Sequence, residues 1–324
     1  MPPANLRRKA FQRLVLGTFF LALSFPAMQA LALTQQKILP GADSLFISSL
    51  CVFYRFLIAG GLLLVLALAE VKTLKRRELE QGLCLAFFAT GGMCLQMDGL
   101  AYTSASTSAF LTQLYCVLIP LWVVIRRRRL PSAKIILCSA LVLGGMAVLV
   151  KLNLFALKLG RGEIETLAAS VMFTGQILCL EQPRYAANRP HCFTTVMLLA
   201  SGGLTLPVVA ATAPGVAVCF RLYASVSACA IMAVMVLLCT LGGFLLMNRW
   251  QRHVAATEAG LIYCAEPVFA SVMVLFLPGW FSHWTGLNYP NEQLTARLLI
   301  GGGLITAATA LLQSRWMESR DEER

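Results

Sequence analysis

Two charged residues lie well inside long apolar stretches of the chain. Arg55 precedes the run "FLIAGG", and Glu266 lies within "YCAEPVFA". A charge placed that deep in an apolar helix costs at least about 2.5 kcal/mol on membrane-insertion scales, so each of the two must be compensated. Glu266 could be a proton-linked or amine-binding carboxylate, or a structural acid bonded to a neighbouring helix end. Arg55 is better explained as a snorkelling or structurally paired arginine.

A second apolar stretch, near residues 106–125, carries three polar side chains and a proline. Thr112 and Tyr115 are three residues apart and therefore share one face of a helix, and Gln113 lies between them. Pro120 removes one helical hydrogen bond and frees the carbonyl of Cys116. We expect a helix break at this proline.

The stretch around Glu266 repeats this plan. Tyr263 and Glu266 share a face, and Pro267 frees the carbonyl of Tyr263, which predicts a second helix break. Freed carbonyls and hydroxyls at membrane depth are tolerated where they face protein or a water-filled cavity. These groups could line a substrate cavity, or they could hold helices together through hydrogen bonds worth roughly 0.6 kcal/mol each.

The composition indicates the environment that must hold these residues. The chain has 324 residues, of which 58% are apolar and 13% charged, with a mean hydropathy of +0.73. Soluble domains are nearer half apolar and a quarter charged. A membrane-spanning helix needs about 20 apolar residues, and ten stretches fit that length approximately. They are 15–33, 45–69, 82–101, 106–125, 135–151, 164–181, 192–212, 223–247, 254–277 and 297–313.

The basic residues predict the orientation of these spans. If the N-terminus is cytoplasmic, 20 of the 27 Lys and Arg residues fall in cytoplasmic segments and 6 in outer segments. Cytoplasmic loops are the basic ones, so both termini are predicted to lie inside an inner (plasma) membrane. The net charge of +12 is then explained by topology and anionic lipid rather than by nucleic acid.

Pairs of adjacent glycines indicate an internal repeat. In groups of five spans, the pairs fall in members 2, 3 and 5 of both halves: Gly60–Gly61, Gly91–Gly92, Gly144–Gly145, Gly202–Gly203, Gly242–Gly243 and Gly301–Gly302. The stretches "TSASTSAFL" and "HVAATEAGL" also lie 150 residues apart. Small residues let helices approach closely in lipid. We expect close helix contacts at the paired glycines and none at Gly17.

An odd number of spans per unit means that the second copy is inverted in the membrane. The predicted fold class is therefore an all-α integral membrane protein with ten transmembrane helices in two inverted five-helix repeats. The predicted boundaries are 15–151 and 152–314 for the repeats, with cytoplasmic tails at 1–14 and 315–324. Inverted repeats are a common plan of secondary transporters, which bind substrate near the midplane.

Four stretches of the sequence resemble the EamA-type carriers of the drug/metabolite transporter superfamily. They are "FYRFLIAGGLLLVLALA", "LQMDGLAYTSASTSAFLTQLYCVLIPLW", "GEIETLAASVMFTGQ" and "TEAGLIYCAEPVFASVMVLFL". The resemblance implies a ten-helix carrier whose cavity is lined mainly by helices 1, 3, 4, 6, 8 and 9. It would place Gln29, Gln96 and Gln176 around that cavity. The chain departs from the family at "IRRRRLP" and "LPGWFSH", which lack the usual acidic turn residue.

We therefore predict a secondary active transporter that moves small metabolites, amino acids or drug-like compounds, as an exporter, by alternating access. Protons are a candidate coupling ion, membrane lipids are the surroundings, and no cofactor, metal or nucleic acid is expected. The alternative is a non-transporting membrane scaffold or receptor. Enzymatic activity is not expected, because His191, His253 and His283 fall in or beside loops and no clustered nucleophile, base or metal set is present in the sequence.

Overall fold

The computed structural model describes residues 4–99, 102–103, 108, 111–128, 131–150 and 160–321. Across these ranges the chain is predominantly helical, and they contain no β-strand. The predicted all-α class is confirmed for the described residues. This outcome is expected for a chain in lipid, where a helix satisfies its backbone polar groups internally.

The helices of the first half follow the predicted order. They are α1 (Ala4–Ile38), α2 (Ser44–Leu66), α3 (Arg76–Gly99), α4 (Tyr115–Arg127) and α5 (Ala133–Val150). The carboxylate of Asp43 accepts a hydrogen bond from the Leu45 amide at 3.3 Å and so caps the start of α2. Because α1 begins at Ala4, most of the expected N-terminal tail is helical.

The second half contains two interrupted helices. Its main helices are α6 (Arg161–Glu181), α7 (Pro190–Thr212), α8 (Val226–Val234, a π-helical segment Met235–Gly242, then Gly243–Trp250), α9 (Ala256–Tyr263 and Glu266–Met273) and α10 (Ala296–Asp321). Shorter helices, Val216–Arg221 and Leu277–Thr285, lie between them. The predicted boundary between the halves, at 151–152, falls at residues outside those described.

Length and apolar character identify fewer membrane-crossing helices than the ten predicted stretches, although helices overlap all ten. Within the described residues, five helices pass this test: α1, α2, α6, α7 and α8. A sixth is obtained if the bent pair Ala256–Met273 and Leu277–Thr285, with an angle of 55°, is one span. Helices α4, α5 and α10 contribute shorter apolar segments of 10–17 residues. Helix α3 carries Gln96 and Asp98 near its end, which lowers its hydropathy there.

The packing of α2 on α7 uses one glycine from each helix. A Cβ atom added at Gly60 would lie 2.8 Å from Cδ2 of Leu199, and one added at Gly202 would lie 3.3 Å from Cβ of Leu57. Each leucine lies three residues before the glycine of its own helix. The contact is therefore reciprocal, because each glycine accommodates a leucine of the other helix.

A second pair of contacts follows the same rule. A Cβ atom added at Gly92 of α3 would lie 2.6 Å from Cε1 of Phe173 on α6, and one added at Gly243 of α8 would lie 2.8 Å from Cδ2 of Leu21 on α1. Their neighbours Gly91 and Gly242 similarly face Met172 and Phe20. Close helix contacts at these four glycines are thus present as expected.

The expectation that Gly17 makes no close contact is wrong. A Cβ atom added at Gly17 would lie 3.2 Å from Cβ of Leu246 and 3.5 Å from the carbonyl oxygen of Gly243. Gly17 belongs to the same α1–α8 interface as Gly243, which its isolation in the sequence did not reveal. Conversely, Gly61, Gly144 and Gly203 have open space where a Cβ atom would be.

Candidate functional site

Turns interrupt the helical backbone in the middle of two predicted apolar stretches, 106–125 just before α4 and 254–277 within α9. The turns lie at residues 113–114 and 264–265, and the helices resume at Tyr115 and Glu266 respectively. The turn before Tyr115 has a hydrogen bond from the Leu114 amide to the Leu111 carbonyl at 3.2 Å, and the second turn has the corresponding bond from Ala265 to Ile262 at 3.1 Å. The two interruptions therefore share a local geometry.

The expected break at Pro120 is wrong in position. Helix α4 continues through Pro120, and the interruption lies upstream at 113–114. The Cys116 carbonyl that Pro120 frees accepts a hydrogen bond from the Ser139 hydroxyl of α5 at 3.3 Å. That bond compensates the missing one, so the helix tolerates the proline. In α9 the turn at 264–265 directly precedes Glu266 and Pro267, the first two residues of the resumed helix.

Arg55 is fully buried and is held by the unusual segment of α8. Its Nε donates to Oγ1 of Thr240 at 2.6 Å, and an Nη atom lies 3.6 Å from the sulfur of Met28 on α1. Thr240 in turn donates to the carbonyl of Met235 at 2.9 Å, across the wide turn of the π-helical segment. Sequence analysis did not identify Thr240. Its signal was a single hydroxyl in the apolar run before Gly242.

Glu266 lies near Arg55 in the same part of the protein. The Gln113 side chain lies beside the Glu266 carboxylate, and the Arg55 charge acts on that carboxylate electrostatically. Tyr115 is buried and close enough to Glu266 for their charges to interact. The Oε1 atom of Gln113 is buried and has no hydrogen-bond partner among the described residues. The two interrupted helices thus bring an acid, an amide and a phenol together beside a buried arginine.

Gln96 of α3 and Thr112, which lies before the turn at 113–114, form a separate contact. The Gln96 amide donates to Oγ1 of Thr112 at 3.0 Å, and Thr112 donates to the Ser108 carbonyl at 2.8 Å. Gln96 is partly exposed whereas Thr112 is buried. This pair already satisfies much of its own hydrogen-bonding capacity, so it fits the interhelical alternative as well as a cavity wall.

Tyr263 is directed towards Gln251 at the end of α8. Its hydroxyl donates to Oε1 of Gln251 at 2.8 Å, and Gln251 donates to the Ile177 carbonyl at 2.7 Å. All three residues are buried. The arrangement joins α6, α8 and α9 through one side chain, Gln251, that sequence analysis missed because it lies in a basic loop segment. Of the remaining predicted cavity residues, Gln176 is buried and Gln29 is exposed.

Ion pairs connect helix ends away from this centre, among them one between α1 and α9 and one between α3 and α6. Arg7 of α1 donates to Glu258 of α9 at 2.8 Å. Arg161, the first residue of α6, contacts Asp98 and Glu165 at 2.7 Å each. No ion pair found among the described residues involves Arg55 or Glu266.

The described residues contain no group of three or more His, Cys, Asp or Glu side chains that could hold a metal ion. Their eleven cysteines are free, and ten of these are buried or partly buried, whereas Cys229 is exposed.

The fold and the buried polar centre define a multi-pass α-helical membrane protein. Residues 13–151 match the EamA-like transporter family. This match is consistent with the drug/metabolite transporter superfamily.

Comparison with solved structures supports the fold. A crystal structure of a protein whose function is not stated aligns with this chain at a TM-score of 0.62 and 16% sequence identity. The alignment covers 88% of this chain and 94% of the other. At that identity the match bears on the fold alone. No curated protein matches the chain.

Proposed function

We propose that the chain is a secondary active transporter that exports small metabolites, amino acids or drug-like compounds by alternating access. The observation that carries the proposal is the convergence of Arg55, Gln113 and Glu266 at two interrupted helices. Ionisable residues inside a membrane are costly and mark substrate or ion pathways. Discontinuous helices at corresponding positions of two repeats are the best sequence-level indication of a transporter binding site.

We further propose ten membrane-crossing helices in two inverted repeats. The glycine contacts support this arrangement. If the first five helices correspond in order to the second five, each glycine contact in one half has a counterpart in the other half. Gly92 with Phe173 corresponds to Gly243 with Leu21, and the α2–α7 contact maps onto itself. The interruptions of α4 and α9 correspond in the same way. An axis that relates two five-helix units would produce each of these pairings.

The ion pairs fit alternating access in this topology. With the N-terminus inside, Arg7 and Glu258 lie at the cytoplasmic ends of α1 and α9, whereas Asp98 and Arg161 lie at the outer ends of α3 and α6. Each pair could fasten one side of the central site while the other opens.

The test is transport by Glu266→Gln in proteoliposomes with an imposed pH gradient. If the Glu266 carboxylate exchanges protons or binds a substrate amine, the variant will remain folded but lose the pH dependence or the uptake of cationic substrates. Gln preserves shape and hydrogen bonding while removing the charge. Pro267→Ala is the matched control, since it alters the neighbouring residue in the first turn of the resumed helix without changing any charge.

An unchanged transport profile of Glu266→Gln, at matched expression, would refute the role of Glu266 and leave it as a packing acid. The alternative function, a membrane scaffold or receptor, predicts no solute flux in the wild-type chain with any compound of a broad screen. A solute flux that requires the wild-type chain excludes that alternative.

A further inference from the structure

A groove of about 370 Å³ lies between α1, α7 and α8, apart from the central polar site. Arg13 of α1, His191 at the start of α7, and Arg249 and Trp250 at the end of α8 line it. Leu245 and Leu246 complete the wall towards the interior of the bundle. The groove therefore joins two arginines and a histidine to an apolar surface.

The two arginines of the groove differ from the other arginines at helix ends. Arg7, Arg161 and Arg189 each contact a carboxylate, at 2.7–2.8 Å. Arg13 and Arg249 are exposed, and no carboxylate of the described residues forms an ion pair with either. Two guanidinium groups that line one groove repel each other unless an anion lies between them.

The position of the groove relative to the membrane indicates which kind of anion it binds. Trp250 ends α8 and Pro190 begins α7, so the groove lies where these helices leave the apolar layer. Tryptophan is enriched at this depth, where one part of its ring is in the hydrocarbon and the other in the headgroup region. The apolar wall below the arginines continues along α8, where Leu246 lies against Gly17 of α1.

We infer that this groove binds the phosphate headgroup of an anionic phospholipid, with an acyl chain along Leu245 and Leu246. The phosphate would accept hydrogen bonds from Arg13 and Arg249, with His191 as a third polar contact. Basic pockets between membrane helices bind lipid headgroups in this way. In the proposed topology the site lies in the cytoplasmic leaflet, but lipid binding itself requires no transport activity.

The test measures lipid binding by native mass spectrometry of the full chain in neutral detergent. The probes are phosphatidylglycerol, phosphatidylcholine and inorganic phosphate. The variant carries Arg13→Gln and Arg249→Gln, and the matched control carries Arg8→Gln and Lys9→Gln, which removes two exposed charges from outside the groove. A third variant, Arg13→Lys with Arg249→Lys, keeps both charges.

We expect the arginine-to-glutamine variant to bind phosphatidylglycerol about 30-fold more weakly, since each basic residue near the surface contributes about 1 kcal/mol and about 1.4 kcal/mol is tenfold. The control and lysine variants should retain most of the affinity. Equal losses in the control variant, or equal binding of phosphatidylcholine, would overturn the site. Full competition by millimolar inorganic phosphate would identify a free-phosphate site and overturn the lipid assignment.

Discussion

Three hydrogen bonds join Glu78, near the start of α3, to Arg189, just before the start of α7. This contact allows a quantitative prediction. Glu78 is fully buried in the first turn of α3, ahead of its apolar stretch. Its Oε1 accepts from the backbone amide and Nε of Arg189, at 3.0 and 2.8 Å, and its Oε2 from an Nη atom at 2.8 Å. The Lys75 amide adds a fourth bond at 2.9 Å.

These hydrogen bonds hold the carboxylate in its charged form. The bonds from the Arg189 side chain lower the pKa of Glu78 from 4.5 to about 2, against the opposing effect of burial. The difference corresponds to about 3 kcal/mol, at about 1.4 kcal/mol per pKa unit. Because the folded-state pKa is the lower one, this stabilisation is fully present above about pH 4.5 and is lost as the pH falls towards 2.

The perturbation is Glu78→Gln, studied by unfolding in mixed detergent micelles between pH 7 and pH 3. At pH 7 we expect the variant to lose about 3 kcal/mol of unfolding free energy, because Gln carries no negative charge and presents an NH2 donor where one carboxylate oxygen accepted hydrogen bonds. The difference from the wild type should shrink below pH 4.5, as the wild-type carboxylate becomes protonated on unfolding.

Glu80→Gln is the control. Glu80 pairs with Arg76 at 3.1 Å one helical turn away, but the Arg76 side chain is 91% exposed. We expect a loss of at most about 0.5 kcal/mol there. Equal losses at Glu78 and Glu80, or a difference at Glu78 that stays constant with pH, would refute the assignment of the stabilisation to the buried carboxylate.

Three further predictions concern packing, the buried arginine and topology. Gly92→Leu should reduce folded yield in detergent far more than Gly61→Leu, since only the first added side chain meets an aromatic ring; equal yields would contradict the close contact. Thr240→Val should lower the unfolding free energy by about 1.5–3 kcal/mol, because it removes the hydroxyl that accepts from Arg55, and an unchanged unfolding curve would argue against that bond. Reporter fusions should place both termini and the 126–134 loop in the cytoplasm, and an external signal from that loop would exclude the proposed topology.

The sequence was sufficient to predict the helices and part of their contacts. Hydropathy located a helix in every predicted stretch, because the membrane leaves few other backbone structures possible. The glycine pairs indicated real contacts at Gly92 and Gly243, since a missing side chain is visible in the sequence itself. The interruption of α9 lies beside Pro267 because a residue without an amide hydrogen constrains its own helix locally.

Partners across the bundle could not be predicted in this way. Tyr263 was expected beside Glu266 in a cavity, but its hydroxyl bonds to Gln251, whose side chain also reaches the carbonyl of Ile177 on α6. Gly17 was expected to be isolated, but it packs against Leu246. Each contact joins positions far apart in the sequence. Their apposition depends on the rotation of each helix about its axis, which the apolar pattern of an almost uniformly apolar helix does not specify.

The two central charged residues, Arg55 and Glu266, have different surroundings from the charged residues at the helix ends. Arg55 is hydrogen-bonded to the neutral Thr240, and no ion pair among the described residues involves Arg55 or Glu266, whereas Glu78 is held by a guanidinium. In a low-dielectric interior a direct ion pair between Arg55 and Glu266 would be strong and costly to separate. The absence of such a pair leaves both charges incompletely compensated, so in the proposed transporter a solute can exchange with them at a smaller cost. A central site built in this way suits repeated binding and release, whereas the Glu78–Arg189 contact suits permanent attachment of α3 to α7.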